Sequence, residues 1–157
     1  MIQRIQTLYL MVVTLLMAVT LIFPLVFIGV DGHQVELSAF SISDAEGTLS
    51  HATAWLGALL ALTTLIPFVT IFLYKNRPLQ IRLCGVQCVL LVGALVVLGA
   101  FTYATCQNIF ADFEISWANI VFRFPVLMPI ISVIITPFAM KAILRDELLV
   151  RSLDRIR

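Results

Sequence analysis

The feature that most constrains this chain is a short basic segment, residues 74–82, that separates two long uncharged runs. The runs extend from Gly47 to Tyr74 and from Leu83 to Ala111, and each is longer than the roughly 20 residues that a helix needs to cross a bilayer. Both runs are therefore predicted to be transmembrane helices. Because basic residues of short loops are retained on the cytosolic side of a membrane, the segment between them is expected to face the cytosol.

The composition supports a membrane protein. Hydrophobic residues make up 61% of the chain and charged residues 12%, against roughly 45–50% and 25% in soluble domains. Mean hydropathy is +1.06. The predicted fold class is an all-α membrane protein with four transmembrane helices in a single membrane domain. A small β-cap formed by the two outer loops and a C-terminal cytosolic amphipathic helix complete the prediction.

The predicted boundaries follow from the uncharged runs. The first helix is interpreted as a retained span, because the apolar region of a cleavable signal is only about 7–15 residues long and ends at a small-x-small site. Pro24 is expected to bend this helix near its outer end, and Pro67 to kink the second. The predicted spans are 6–28, 52–74, 83–107 and 124–144, the outer loops are 29–51 and 108–123, the inner loop is 75–82, and the tail is 145–157.

Both outer loops contain short alternations of apolar and polar residues that predict strands. Residues 34–38 alternate, and residues 40–42 continue in the opposite phase, which indicates one strand with a bulge near Ala39. The second loop alternates over residues 112–119. Because neither strand is stable alone, they are expected to pair in a small sheet. Two disordered loops are the alternative.

Acidic and basic residues are distributed unequally between the predicted outer and inner segments. The outer segments 31–51 and 108–123 contain six acidic residues and one basic residue, Arg123, whereas the other nine Lys and Arg residues lie in inner segments or, for Lys141, near the inner end of the fourth span. This distribution predicts that both termini face the cytosol.

The small residues and the cysteines of the spans are interpreted as packing residues. Small residues four positions apart allow two helix backbones to approach closely in lipid. Cys84 and Cys88 are one turn apart, and Cys106 lies on the order of 33 Å from Cys84 along the same helix, too far for a disulfide. The candidate helix-packing residues are Ala54, Gly57, Ala58, Ala61, Ala100 and Ala104.

The tail continues the helical period of the fourth span and interleaves acids with bases. Glu147 and Arg151 have the favourable i,i+4 order. A docked helix is predicted, because its acids would be repelled by an anionic leaflet but can pair with bases of other cytosolic segments or of a partner. A solvated helix that merely continues the span is the alternative. The candidate interaction residues are Arg4, Lys75, Arg77, Arg82, Arg145, Asp146, Glu147, Arg151, Asp154 and Arg155.

The sequence contains no recognisable catalytic or ligand-binding motif. No Asp, Glu, Lys, Arg or His lies in the interior of a predicted span, which disfavours an ion-coupled transporter. A P-loop, a Ser-His-acid set and a His-Glu-x-x-His motif are absent, and His33 and His51 lack the spacing of metal ligands. No catalytic residue, cofactor, metal or nucleic acid is therefore expected, and an enzyme is disfavoured.

Three sequence blocks resemble the signature blocks of a known family. They are MIQRIQT at residues 1–7, LYKNRPLQIRL at 73–83 and RDELLVRSLDRIR at 145–157. They are similar to blocks of small four-helix membrane proteins from Bacteroidota that are grouped as a domain of unknown function, and the similarity covers the whole chain. The resemblance implies an inner-membrane protein of a Gram-negative bacterium, and it carries over no catalytic or ligand residue.

Three functional hypotheses follow. The leading one is a non-catalytic accessory subunit, or an assembly or stability factor, of a larger membrane complex, with the lipid bilayer and other membrane subunits as partners. The second is a small channel or transporter formed by self-association. The third is a membrane redox or lipid-modifying enzyme. Purification from native membranes distinguishes the first two, because it recovers either a foreign partner or a homo-oligomer.

Overall fold

Four long α-helices contain most of the residues that the structure describes, and each is long and apolar enough to cross a membrane. The structure is a computed structural model that describes residues 3–30, 33–44, 47–50, 53–74, 76–109 and 120–154. The helices are α1 (Gln3–Ile22), α2 (Ala54–Phe72), α3 (Arg77–Ile109) and α4 (Leu127–Asp154), and a short 3₁₀ turn at Phe124–Val126 precedes α4. The four predicted helices are confirmed.

The helices pack as neighbours in the order α1, α2, α3, α4, and α4 closes the ring against α1. As a result, α1 begins and α4 ends at the same end of the bundle as the connection between α2 and α3. We call this the basic end and define it by Arg77, Arg82 and Arg145. Large apolar side chains such as Val89 and Val96 are exposed on the outside of the bundle, as expected for helices in contact with lipid.

A five-stranded antiparallel sheet covers the other end, which we call the sheet end. The strands are β1 (Val26–Val30), β2 (His33–Leu37), β3 (Ile42–Asp44), β4 (Gly47–Ser50) and β5 (Ile120–Phe122), in the spatial order β4-β3-β2-β1-β5. Ile28 of β1 lies opposite Ile120 of β5, so the sheet joins the chain that follows α1 to the chain that precedes α4. The predicted small sheet is present, but β2 does not pair with the second outer segment as expected, because β1 lies between β2 and β5. Its buried side chains, including Val26, Ile28 and Leu37, belong to the same apolar cluster as the helix core.

The first span predicted at 6–28 extends too far at its outer end. The helix α1 ends at Ile22, and residues 26–28 belong to β1. Pro24 lacks an N–H and disfavours a helical conformation of Phe23. The β-branched and aromatic residues that follow favour a strand. Leu25 already donates its N–H to a carbonyl of β2 at 2.8 Å, so the chain enters the sheet directly after the proline.

The single bulged strand predicted in the first outer loop is wrong, because β2 and β3 are separate antiparallel strands. The chain reverses at Ser38, whose N–H and Oγ donate to the carbonyl oxygen of Ser41 at 3.0 and 2.8 Å. The change of phase at Ala39 therefore marks a turn. The sequence did not predict β4. The strand predicted at 112–119 lies outside the described residues, and β5 follows it.

The inner loop predicted at 75–82 is mostly helix, because α3 begins at Arg77. Pro78 lies in the first turn, where a helix does not need its N–H. The carbonyl of Asn76 accepts the N–H groups of Leu79 and Gln80, each at 3.1 Å. The 33 residues of α3 span about 50 Å. This length exceeds the roughly 30 Å of a bilayer core, so the polar first turn can lie in the interface.

Candidate interaction site at the basic end

Long polar side chains near the basic end donate hydrogen bonds to main-chain carbonyls of the neighbouring helix. Such bonds hold helices together where apolar surroundings provide no alternative partner. Four such bonds are present among the described residues. They run from Gln6 Nε2 to the Ala142 carbonyl (3.1 Å), from Arg77 Nη1 to the Asp146 carbonyl (3.2 Å), from Gln80 Nε2 to the Thr70 carbonyl (2.9 Å) and from Gln87 Nε2 to the Thr63 carbonyl (2.7 Å).

The bond from Gln87 compensates for the proline in α2. In a regular helix the carbonyl of residue 63 accepts the N–H of residue 67, and Pro67 has no N–H. Gln87 is buried on α3 and supplies a donor in its place. The turn of α2 that precedes Pro67 is thus a point of contact between α2 and α3.

An ion pair links the beginning of α3 to the end of α4. Arg77 Nη2 lies 3.1 Å from Asp146 Oδ2, and the two side chains are 23% and 13% exposed. Oδ2 itself is buried and has no hydrogen bond of acceptable geometry. The side-chain contact is therefore ionic, and the hydrogen bond of Arg77 goes to the Asp146 main chain. One of the pairings expected from the interleaved charges is present.

The helix α4 continues past this ion pair to Asp154 without a break. The predicted tail helix is the end of α4, and the Arg77 contact docks its first turn on the bundle. Beyond Asp146, the consecutive apolar residues Leu148, Leu149 and Val150 are 66%, 50% and 41% exposed, and they lie between Glu147 and Arg151 in the sequence. The end of α4 thus presents apolar and charged groups together.

The structure brings only some of the candidate interaction residues together. Arg77 and Asp146 are in contact, Arg82 and Arg145 are exposed, and Glu147 is half-buried. The helical backbones of α1 and α4 include Arg4, Arg151 and Asp154, whose side chains are not described. Lys75 and Arg155 lie outside the described residues.

A cavity of about 430 Å³ opens between α1, α2 and the start of α3, next to the ion pair. Along the bundle it adjoins an apolar groove of about 300 Å³ between α1 and α2, with which it shares Thr7 and Ile71. The cavity is lined by Gln6, Thr7, Leu10, Ile71, Tyr74, Arg77 and Gln80, and the groove by Thr7, Met11, Thr14, Leu15, Phe68, Ile71 and Phe72.

The candidate helix-packing residues lie mostly outside the core. Ala54, Ala58, Ala100 and Ala104 are exposed, so they do not pack the helices of this chain on one another, and Ala61 is half-buried. Gly57 is buried, but its close neighbours belong to the turn between β2 and β3. A Cβ at this position would overlap the Phe40 ring and lie 2.7 Å from the Ala39 carbonyl oxygen.

The cysteines are free and lie on α3, with Cys84 and Cys106 buried and Cys88 half-buried. Cys84 belongs to the apolar cluster near the basic end, and Cys106 to the cluster beneath the sheet. Cys106 also lines a cavity of about 380 Å³ between α3 and β5. Burial in two separate clusters is consistent with small apolar packing residues.

The fold defines a multi-pass membrane protein with four helices, a sheet at one end and interhelical polar contacts towards the other. A comparison with protein families gives a match over nearly the whole chain. Residues 2–156 match the family described as domain of unknown function DUF4293, and the chain belongs to that family. No curated protein matches the chain.

Three buried glutamines form contacts between helices that the sequence did not predict. Gln6, Gln80 and Gln87 are all buried and donate to neighbouring helices. These side chains are uncharged, so a search of the spans for ionisable residues does not find them. The available signal was a long amide in an otherwise apolar helix, since a buried amide needs a partner.

Proposed function

We propose that this protein is a non-catalytic accessory subunit, or an assembly or stability factor, of a larger membrane complex. The observation that carries the proposal is the end of α4, which is tethered by Asp146 and presents the exposed Leu148 beyond it. An exposed apolar side chain among charged residues is typical of a protein contact surface, in which a buried apolar centre has a polar rim.

The length of α4 supports a surface outside the bilayer core. Its 28 residues span about 42 Å, against roughly 30 Å of hydrocarbon. The tether to Arg77 positions the first turn of this extension before any partner binds. Such preorganisation lowers the entropy that ordering would cost on association.

The charge distribution supports an orientation with the basic end in the cytosol of a bacterium, as the resemblance to Bacteroidota proteins implies. By sequence, segments 1–5, 73–82 and 141–157 contain nine basic and three acidic residues. The segments at the sheet end contain six acids and Arg123. Basic residues are retained on the cytosolic side, so we propose the inner membrane with both termini inside.

The exposed small residues support a second contact within the membrane. Ala54 and Ala58 on α2, and Ala100 and Ala104 on α3, are each four positions apart and face away from the core. This spacing allows close approach of a further helix. That helix belongs to a partner subunit in the proposed function, and to a second copy in the alternative of an oligomeric channel or transporter.

The test is affinity purification of the full chain from its native membranes. The variant Leu148→Glu changes the proposed surface without touching a buried group. Val121→Glu makes the same kind of change at an exposed apolar position of β5, at the opposite end of the bundle. We expect a stoichiometric foreign protein to co-purify with the wild type and with Val121→Glu, and to be lost with Leu148→Glu.

Two results would contradict the proposal. If only copies of this chain are recovered, the oligomeric alternative is favoured. If the foreign protein is retained by Leu148→Glu and by the double variant Asp146→Arg with Glu147→Arg, the end of α4 has no role in recognition. Membrane insertion and abundance of every variant are measured in the same samples.

A further inference from the structure

A cavity at the basic end and the groove that adjoins it differ in the chemistry of their lining. The cavity beside Arg77 is lined by two carboxamides, two hydroxyls and a guanidinium together with the apolar Leu10 and Ile71. The groove that adjoins it through Thr7 and Ile71 is lined almost entirely by apolar groups, among them Met11, Leu15, Phe68 and Phe72. The two halves are arranged along the bundle axis, with the polar half at the end. This is the shape of an amphiphile that lies parallel to the helices.

We infer that the cavity and the groove together bind one anionic phospholipid, with its phosphate beside Arg77 and one acyl chain between α1 and α2. The cavity of about 430 Å³ and the groove of about 300 Å³ are both within the usual range for ligand sites, roughly 300–1,000 Å³. Basic pockets between transmembrane helices are suited to anionic headgroups.

The polar half provides donors for a phosphate. A guanidinium has five N–H groups, and its contacts with Asp146 involve Nη1 and Nη2, so donors remain for phosphate oxygens. Gln6 and Gln80 each give one Nε2 hydrogen to a main-chain carbonyl, and a carboxamide nitrogen carries a second. These groups converge on the same cavity from α1 and α3.

The charge of the basic end favours an anion over a zwitterion. Asp146 compensates the positive charge of Arg77. By sequence, however, the segments at this end contain six more basic than acidic residues. Arg82 and Arg145 are exposed there. A headgroup with a net negative charge is therefore attracted to this end, and phosphatidylcholine is not.

The apolar half is suited to an acyl chain. Thr14 donates its hydroxyl to the Leu10 carbonyl of its own helix at 2.8 Å, so this hydroxyl is satisfied and its methyl is available for the groove. Met11, Leu15 and Phe68 are partly exposed in the isolated chain. An acyl chain in the groove covers apolar surface that helix packing leaves open.

The test is native mass spectrometry of the purified full chain in a neutral detergent. The probes are dioleoyl-phosphatidylglycerol, dioleoyl-phosphatidylcholine and soluble glycerol 3-phosphate. We expect one phosphatidylglycerol per chain, bound about tenfold more tightly than phosphatidylcholine, and no competition by glycerol 3-phosphate. Since no partner protein is present, the result is independent of the proposed accessory role.

Paired variants separate a specific site from general attraction. Arg77→Gln removes the guanidinium of the cavity, and Arg82→Gln removes an exposed one from the same helix. Met11→Trp fills the groove, and Val96→Trp adds the same bulk to an exposed position on α3. The first member of each pair should weaken phosphatidylglycerol binding about tenfold, and the second should leave it unchanged. Met11→Trp does not touch the ion pair and remains decisive if Arg77→Gln does not accumulate.

Three outcomes would overturn the inference. The first is equal affinity for the two phospholipids. The second is an equal loss in a test variant and its control, which would indicate diffuse attraction. The third is displacement by glycerol 3-phosphate, which would indicate a site for free phosphate and no role for the groove.

Discussion

Gln87 Nε2 donates a hydrogen bond of 2.7 Å to the carbonyl of Thr63, the group that Pro67 leaves without its usual helical donor. The two residues are 24 positions apart and lie on different helices. An unpaired carbonyl in apolar surroundings is costly, so this contact allows α2 to contain a proline within the membrane. It also links the segment of α2 around Pro67 to the packing of α3.

Gln87→Leu should destabilise the protein by about 1–2 kcal/mol, because it removes the donor and leaves the Thr63 carbonyl unpaired. In the background of Pro67→Ala the N–H of residue 67 is restored, and the same substitution should cost clearly less. Reversible unfolding in mixed micelles measures both free energies. Gln107→Leu, at an exposed glutamine of the same helix, is the control, and equal costs in the two backgrounds would contradict the prediction.

Loss of the Arg77–Asp146 pair should lower stability in two steps. Asp146→Asn removes the ionic contact but retains the hydrogen bond from Arg77 to the main-chain oxygen, and because the pair is partly exposed the cost should be about 1 kcal/mol or less. Arg77→Gln removes both and should cost more. The difference in unfolding free energy between each variant and the wild type should be smaller in high salt. Arg82→Gln is the control, and an equal cost there would show that the pairing is not specific.

Gly57→Ala should destabilise the junction of α2 with the sheet by about 1–3 kcal/mol, because the added Cβ overlaps Phe40 and crowds the Ala39 carbonyl. Gly93→Ala places a Cβ where nothing lies within 4 Å and should be neutral or slightly stabilising. Adding Phe40→Ala to Gly57→Ala should restore only part of the loss, since the carbonyl remains. Thermal unfolding of the three variants and the wild type checks this order.

The proposed orientation predicts which side of the membrane each end faces. In a cysteine-free background, an impermeant thiol reagent added to spheroplasts should label Ser43→Cys on the sheet and not Asn76→Cys at the basic end. Asn76→Cys should become reactive only after the membrane is permeabilised. The opposite pattern would invert the topology.

The cysteine-free background is itself a prediction. Replacing Cys84, Cys88 and Cys106 together with Ala should leave the protein folded and its host phenotype intact, at a cost of roughly 1–3 kcal/mol from lost packing. The measurement is abundance in membranes and the unfolding midpoint. A redox-dependent phenotype that disappears in the single variant Cys106→Ala would instead support the enzyme hypothesis.

The candidate site was only partly predictable. The interleaved charges of the tail indicated that Asp146 pairs with a base from another segment, but Arg4, Lys75, Arg77 and Arg82 were equal candidates by sequence. The choice of Arg77 depends on where the first turn of α3 lies against α4. That position follows from a helix beginning six residues before the predicted boundary at Leu83, which the rule of uncharged spans could not detect.

The sequence by itself determined the number of spans, the proline in α2 and the opposite charges of the two ends, because these depend on composition and local periodicity. Three features were decided by the tertiary structure alone. The residues after Pro24 form a strand of the sheet, the Phe40 ring packs against Gly57, and Gln6 donates a hydrogen bond to Ala142, which is 136 positions away in the sequence. The physical reason is that a buried polar group or a missing Cβ has a role only relative to its neighbour. That neighbour is set by the packing of helices and strands that are distant along the chain.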